Sequence, residues 1–243
     1  MSQDQGSSKA TVDTRRRFDR NAFLYEILDR RWEKRSLGRW RKLLWKQVEG
    51  KSILEVGVGT GMNIPFYPPE AEVSAIDLSP RMLKRARDLA VRTGSDATLE
   101  EMDVQRLEFP DFSFDAVISS FVFCAVSDPV LGLREIARVL RPGGRLYMLE
   151  HVLPERKLLA RMMRLVNPLV NMVTGENIDR QTRRNLELAG FRVVRAQALR
   201  SDIFWMFVAQ KTDDLHAGEI EAAAGVDLPA VASGSSALTP RTL

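Results

Sequence analysis

Cysteine is almost absent from this chain, since Cys124 is the only one among 243 residues. A single cysteine excludes an internal disulfide and a zinc site made of several cysteines, which agrees with a reducing compartment. We interpret Cys124 as a small buried hydrophobic side chain, and we predict no metal site. The chain also lacks any run of about 18 uncharged apolar residues, and "MSQDQGSSKATVDTRRRFDR" has no apolar centre of the kind that a signal peptide needs. We therefore expect a cytoplasmic protein.

Histidine and, in one region, aromatic residues are scarce as well. Residues 212–243 contain no Phe, Trp or Tyr and are rich in Ala, Gly, Ser and Pro, so we predict a disordered tail. The chain has only two histidines, His151 and His216, and the second lies in that tail. His151 is therefore the only imidazole that a folded pocket could use.

Basic residues are concentrated near the N-terminus. Between Lys9 and Lys46 the chain has 13 Lys or Arg against 5 Asp or Glu, a local net charge of +8, whereas the whole chain has +4. Apolar residues at helical spacing predict one or two helices within residues 15 to 46, and we assign residues 1–45 to a basic N-terminal helical segment. This charge indicates a polyanion, either nucleic acid or an anionic membrane surface, unless it is only the solvated face of a helix.

The middle of the chain alternates strand-like and helix-like segments. Apolar, β-branched runs such as "SILEVG", "EVSAIDL", "ATLEEMD", "FDAVISSF" and "GRLYMLEHV" are separated by helical stretches such as "PRMLKRARDLAVRT". This alternation predicts a Rossmann-like, doubly wound α/β domain over residues 46–211, with a mostly parallel seven-stranded sheet. The last two strands, "FRVVRAQALR" and "IFWMFVAQK", are joined by too few residues for a parallel crossover, so we predict an antiparallel last strand.

The stretch "ILEVGVGTG" predicts a strand that ends in a ligand-binding loop, because glycines let a backbone approach a ligand closely. No lysine follows Gly61, which excludes the phosphate-binding G-x-x-x-x-G-K-[ST] pattern. The spacing of Gly57, Gly59 and Gly61 also differs from the dinucleotide pattern G-x-G-x-x-G. Asp77 ends the next strand, 20 positions after Gly57, where a carboxylate can accept hydrogen bonds from ribose hydroxyls.

Two further acids distinguish between the possible ligands. Glu55 lies within the first strand and Asp103 lies at the end of the third, so carboxylates surround the loop. Such a ring repels a pyrophosphate and tolerates a cationic cofactor. Together, "ILEVGVGTG", "AIDLSPRML", "MDVQRLEF", "FDAVISSF" and "REIARVLRPGGRLYMLEH" resemble the class I S-adenosylmethionine-dependent methyltransferases over about residues 50 to 211.

This resemblance implies that S-adenosyl-L-methionine is the cofactor, and it implies a role for each candidate residue. Glu55 and the backbone of Gly57 would lie near the amino group of the methionine part, and Asp77 would hold the ribose. Asp103 and Val104 would contact the adenine edge. The full predicted cofactor-binding set is Glu55, Gly57, Gly59, Gly61, Asp77, Leu78, Met82, Asp103, Val104 and Ser119, with Met82 on the adenine face and Ser119 on the sulfonium side.

The methyl acceptor is less strongly indicated by the sequence. The segment after the fourth strand reads "SSFVFC", without the "NPPY" or "DPPY" of many enzymes that methylate bases, so we consider nucleic acid unfavoured. Apolar "SFVFCAV" and "LLARMMRLVNPLVNMV" would lie above the cofactor, which suggests a lipid-like acceptor at an anionic membrane surface. The chain is similar to bacterial phosphatidylethanolamine N-methyltransferases, to quinone C-methyltransferases and, through "FVFCAV" with "LEHV", to animal thiol methyltransferases.

We expect the amine of phosphatidylethanolamine to be the acceptor, with a quinone carbon or a thiol as the alternatives, at the inner face of the membrane. The predicted catalytic residues are His151, as a base for the acceptor's proton, and Tyr25, which would orient the acceptor if its helix folds over the pocket.

Overall fold

The structure is a computed structural model that describes residue 11 and residues 37–154, 158, 161–167, 181–200 and 203–212. The predicted basic segment 1–45 lies mostly outside these residues, as do Tyr25, His216 and nearly all of the predicted tail. Seven strands form one sheet: β1 (Ser52–Val56), β2 (Glu72–Asp77), β3 (Thr98–Glu101), β4 (Phe114–Ser120), β5 (Leu140–His151), β6 (Phe191–Arg200) and β7 (Phe204–Lys211).

The order of the strands across the sheet is β3-β2-β1-β4-β5-β7-β6. The first five strands are parallel to one another. β7 runs antiparallel to both of its neighbours, β5 and β6. The predicted seven-stranded, mostly parallel sheet with an antiparallel last strand is confirmed. The order reverses at β1, and in folds of this kind ligands bind at that reversal, beyond the carboxyl ends of the strands.

Helices cover both faces of the sheet, as a doubly wound fold requires. Four of the described helices are α1 (Gly38–Trp45), α2 (Pro80–Thr93), α3 (Pro129–Val139) and α4 (Thr182–Leu188), and residues 161–167 are helical as well. Leu44 of α1 packs with Ile53 of β1 on one face. Ile136 of α3 and Leu186 of α4 pack with Leu54 on the other face. Because neighbouring residues of a strand point to opposite faces, Ile53 and Leu54 contribute to different cores.

Helix α2 begins and ends where the sequence predicts. The Ser79 hydroxyl accepts a hydrogen bond from the Met82 N–H at 3.2 Å, and Pro80 occupies the first turn. Gly94 ends the helix in the left-handed conformation with φ of 67°, which glycine adopts at little cost. The cap at Ser79 places the start of α2 directly after β2, beside the glycine loop.

The described part of the N-terminal segment belongs to the core of the domain. Trp40, Leu44 and Trp45 of α1 are buried against the sheet. This helix bears out the prediction of an N-terminal helix. No helix within residues 37–154, 161–167 and 181–200 is long and apolar enough to cross a membrane. The domain boundaries predicted at residues 46 and 212 stay predictions.

Candidate active site

A cavity of about 480 Å³ opens at the carboxyl ends of the parallel strands. β2, β4 and β5 contribute residues to its wall, the segments that follow β1 and β3 contribute others, and α1 and β7 contribute Arg41 and Phe204. Eight of the residues predicted from the sequence line it: Gly57, Gly59, Asp77, Leu78, Met82, Asp103, Val104 and His151.

The three glycines after β1 have different structural roles, although all have positive φ. A Cβ on Gly57 would lie 2.4 Å from a methyl group of Val122, and a Cβ on Gly61 would lie 3.1 Å from the backbone of Ala86 in α2. These two glycines permit close packing. A Cβ on Gly59 would meet no atom within 4 Å, because this residue faces the cavity. Gly59 is therefore where a ligand can approach the backbone.

Asp77 connects the end of β2 to this loop. Its Oδ2 accepts a hydrogen bond from the Gly59 N–H at 2.8 Å, and its Oδ1 accepts one from the Ser79 N–H at 2.8 Å. The carboxylate also lines the cavity. Asp77 thus orders the glycine loop and presents acceptor oxygens to a ligand in the same cavity.

Asp103 follows β3 and belongs to a second polar group. Its Oδ1 accepts from the Gln105 N–H at 2.9 Å, and its Oδ2 accepts from the Thr11 hydroxyl at 3.3 Å. The Oε1 of Gln105 accepts from the Asp128 N–H at 2.8 Å and from the Ser127 hydroxyl at 2.9 Å. Gln105 therefore connects Asp103 to the loop that precedes α3.

Glu55 is buried on the α1 face of the sheet and does not line the cavity. Its Oε1 accepts from the Asn63 side-chain amide at 2.7 Å, and its Oε2 accepts from the Tyr67 hydroxyl. Burial raises the pKa of Glu55, and the hydrogen bonds from Tyr67 and Asn63 and the charge of Arg41 offset only part of this increase. The predicted contact of Glu55 with the cofactor stays a prediction; the structure shows Glu55 as the centre of a polar group beneath the loop.

Ser119 is also absent from the cavity wall, and Ser120 lies there instead. Ser119 is fully buried, with its hydroxyl 3.4 Å from the Oε1 of Glu150. The same oxygen accepts from the backbone N–H groups of Val122 and Phe123, at 3.1 and 3.2 Å. Glu150 therefore holds the loop that follows β4 against the end of β5.

His151 is the last residue of β5 and lines the cavity. Burial lowers the pKa of His151 from its usual value of 6.5, so the neutral imidazole predominates at pH 7. Ligand atoms of Cys124, Glu150 and His151 lie within 4.8 Å of one another, which the sequence did not predict. Cys124 is buried as predicted, yet it also lines the cavity.

Comparison with known proteins identifies the family. A family described as a methyltransferase domain matches residues 54–148. Phosphatidylethanolamine N-methyltransferase of Cereibacter sphaeroides is 40% identical over 106 residues, 43% of this chain and 52% of that protein. Thiol S-methyltransferase TMT1B of Rattus norvegicus is 30% identical over 176 residues, 66% of this chain and 70% of that protein.

The chain belongs to the S-adenosylmethionine-dependent methyltransferases. The methyltransferase spans about half the length of its Cereibacter relative, and its own acceptor is therefore a separate question. The solved structure of a geranyl diphosphate methyltransferase in complex with SAM has a TM-score of 0.59 at 14% identity, covering 71% of this chain and 84% of the other. That similarity concerns the fold.

The cavity of the methyltransferase fits its cofactor. No atom lies within 4 Å of the position where a side chain on Gly59 would begin, and Asp77 and Asp103 line the same cavity. Ribose hydroxyls and the adenine amino group are hydrogen-bond donors that carboxylates accept. S-adenosylmethionine supplies the methyl group as a sulfonium, and these residues would hold its adenosyl part.

Several residues of the site could not be assigned from the sequence. Arg41, Gln105, Ser120, Phe121 and Phe204 all line the cavity of the methyltransferase. The only available signal was local, namely the Gln that follows Asp103 by two positions and the Ser beside Ser119. Nothing in the local sequence of Arg41 or Phe204 indicates that either residue lies near the glycine loop.

Proposed function

We propose that this enzyme methylates a thiol on an apolar, lipid-like molecule at an anionic membrane surface. The observation that carries the proposal is a partly buried His151 in the cavity wall, which Phe121 and Phe204 also line. β5 and β7 pair so that His151 stands opposite Phe204. The acceptor would therefore meet one imidazole beside the aromatic rings of Phe121 and Phe204, in a wall to which Arg41 and Cys124 also belong.

Proton affinity favours a thiol over an ammonium group. The acceptor must lose its proton before its lone pair attacks the methyl carbon, and a catalytic base works best when its pKa is near the operating pH. An unperturbed thiol has a pKa of about 8.5, whereas a lysine-like ammonium has about 10.4. Burial keeps the pKa of His151 below its usual value of 6.5, so the thiol pKa lies nearer to it than the ammonium pKa does.

The proposed reaction transfers one proton to His151 and one methyl group to the thiol sulfur. The neutral imidazole of His151 would accept the thiol proton, and the thiolate sulfur would take the methyl group that S-adenosylmethionine supplies, with S-adenosylhomocysteine as the second product. The thiol S-methyltransferase named above, of which the chain covers 70%, supports this choice. No covalent enzyme intermediate is needed.

The amine of phosphatidylethanolamine, which the sequence favoured, remains as the second candidate. A relative of that name is 40% identical over 106 residues. For this acceptor, His151 would take the ammonium proton through water or contact the lipid phosphate. Tyr25, predicted to orient the acceptor, lies outside the described residues, so its role stays a prediction.

An exposed apolar face supports the membrane part of the proposal. Leu158, Met162, Leu165 and Val166 are 77%, 56%, 81% and 45% exposed. Leu165 and Val166 follow Met162 by three and four positions, which places these three side chains on one side of helical residues 161–167. Arg161 and Arg164 are exposed in the same stretch. Apolar side chains flanked by arginines are what an anionic lipid surface binds.

The acceptor is tested with the full chain, cofactor labelled in its methyl group, and three acceptors presented separately. These are a long-chain alkyl thiol, phosphatidylethanolamine vesicles, and a quinone precursor. We expect label in the thioether, and faster transfer to the long-chain thiol than to 2-mercaptoethanol because Phe121, Phe204 and other apolar side chains line the cavity. Label in phosphatidylethanolamine alone would establish the second candidate, and label in the quinone alone would overturn both.

Membrane binding is tested by sedimentation with liposomes. Burying a leucine side chain is worth about 1.5 to 3 kcal/mol, so Leu165→Ser should reduce retention by anionic liposomes about tenfold. Val91→Ser is the matched control, because Val91 is 83% exposed on α2, a different helix. Retention should also weaken at high salt. Equal retention of Leu165→Ser and wild type would contradict the proposed surface.

A further inference from the structure

Arg41 is a buried arginine in the wall of the cofactor cavity. It belongs to α1, is 8% exposed and lines the cavity. Its Nη1 donates to the Oδ1 of Asn63 at 3.2 Å, and its guanidinium carbon lies 5.6 Å from the centre of the Phe121 ring. Asn63 follows β1 and Phe121 follows β4, so Arg41 lies where these two strands end.

Charge is distributed unequally along this cavity. Among its described wall residues, Arg41 is the only Lys or Arg, while the acid Asp77 ends β2 and the acid Asp103 follows β3. In the strand order β3-β2-β1-β4, β3 and β4 are three spacings apart, about 14 Å. The carboxylates therefore lie toward one end of the cavity and the guanidinium toward the other.

S-adenosylmethionine carries the complementary pattern. Its adenosyl group donates hydrogen bonds at one end, and its amino-acid carboxylate lies at the opposite end. With the adenosyl group at Asp77 and Asp103, the carboxylate reaches the ends of β1 and β4. We propose that Arg41 binds the methionyl carboxylate of the cofactor and thereby fixes the sulfonium between the glycine loop and the acceptor.

The chemistry of the guanidinium suits this role. Its planar fork can bind a carboxylate with two N–H groups while a third N–H keeps the bond to Asn63. Asn63 in turn donates to Glu55 and to the hydroxyl of Ser120, at 2.7 and 3.2 Å. These hydrogen bonds fix the position of Arg41 relative to β1, which precedes the glycine loop, and relative to β4.

A purely structural role for Arg41 makes a different prediction. Arg41 is near the buried Glu55, whose negative charge it would partly neutralise. If that were its only role, a substitution of Arg41 would lower the affinity for every ligand of the cavity by the same factor. A ligand without the amino-acid part separates the two roles.

The test compares two ligands by calorimetry: S-adenosylhomocysteine, which has the carboxylate, and 5′-methylthioadenosine, which lacks the amino-acid part. Arg41→Met keeps most of the side-chain volume and removes the charge. We expect its affinity for S-adenosylhomocysteine to fall about 10- to 100-fold, as for a lost charge-assisted pair, with 5′-methylthioadenosine changed by less than about twofold. Arg41→Lys should lie between the variant and wild type.

Arg39→Ala is the matched control, because Arg39 is exposed on the same helix, and it should bind both ligands as wild type does. Equal losses for the two ligands would make Arg41 structural and overturn the proposal. Unchanged binding of S-adenosylhomocysteine by Arg41→Met would overturn the proposal as well. This holds even if the variant has a higher KM for an anionic acceptor, because Arg41 would then bind the acceptor and not the cofactor. Both ligands are measured without acceptor, so the result is independent of the proposed thiol specificity.

Discussion

Replacing His151 by alanine is expected to lower kcat about a hundredfold or more, while the affinity for S-adenosylhomocysteine stays within about twofold. A positioned base contributes roughly 100- to 10,000-fold to rate, and His151 is the only imidazole among the described residues of the cavity wall. The effect should fall on kcat because the base acts on the acceptor's proton in the transition state.

His151→Gln is the matched variant, since glutamine keeps a polar side chain at the cavity but cannot accept the proton. It should be as slow as His151→Ala. The pH profile gives an independent readout: the neutral imidazole is the active form, and burial lowers its pKa. Wild-type activity should therefore fall only as the pH drops through a value below 6.5. If both variants turn over within a few-fold of wild type, His151 is not the base and only packs in the cavity wall.

Replacing Asp77 by alanine is expected to weaken cofactor binding at least about tenfold. Each hydrogen bond to a charged group contributes about 1.5 to 3 kcal/mol, and the ribose would use two. The substitution also removes the acceptor of the Gly59 N–H, so the loop loses part of its order. Calorimetry with S-adenosylhomocysteine measures the loss.

Asp88→Ala is the control for this charge change. Asp88 lies on α2 and pairs with Lys84 at 3.2 Å, with half of its side chain exposed. Its removal should leave cofactor affinity unchanged and cost at most about 1 kcal/mol of stability. If Asp77→Ala binds S-adenosylhomocysteine as tightly as wild type does, Asp77 does not bind the ribose.

The fold followed from local features of the sequence. Helix α2 has Ser79 and Pro80 at its start and Gly94 at its end, and these residue types determine helix ends through backbone geometry alone. The antiparallel last strand followed from the short link between β6 and β7. Such signals depend on residues within a few positions of one another, so a single sequence suffices.

The site was predictable only in part, because cavities join distant residues. Asp77 and Asp103 could be placed at strand ends, where the fold puts its ligand. Ser119 and Ser120 could not be distinguished without knowing which side of β4 faces the cavity, since alternate residues point to opposite faces. Arg41 and Phe204 reach the wall through the packing of α1 and the pairing of β7, which no local pattern specifies.

The position of β7 between two other strands affects how the chain folds during its synthesis on the ribosome. β7 is the last strand among the described residues, but it lies between β5 and β6 and pairs with β5 from Arg145 to His151. Until Phe204–Lys211 has left the ribosome, that edge of β5 has unpaired backbone beside apolar Met148 and Leu149. Unprotected edges of this kind recruit other chains. A premature stop before Phe204 should therefore yield aggregates rather than a soluble, inactive enzyme.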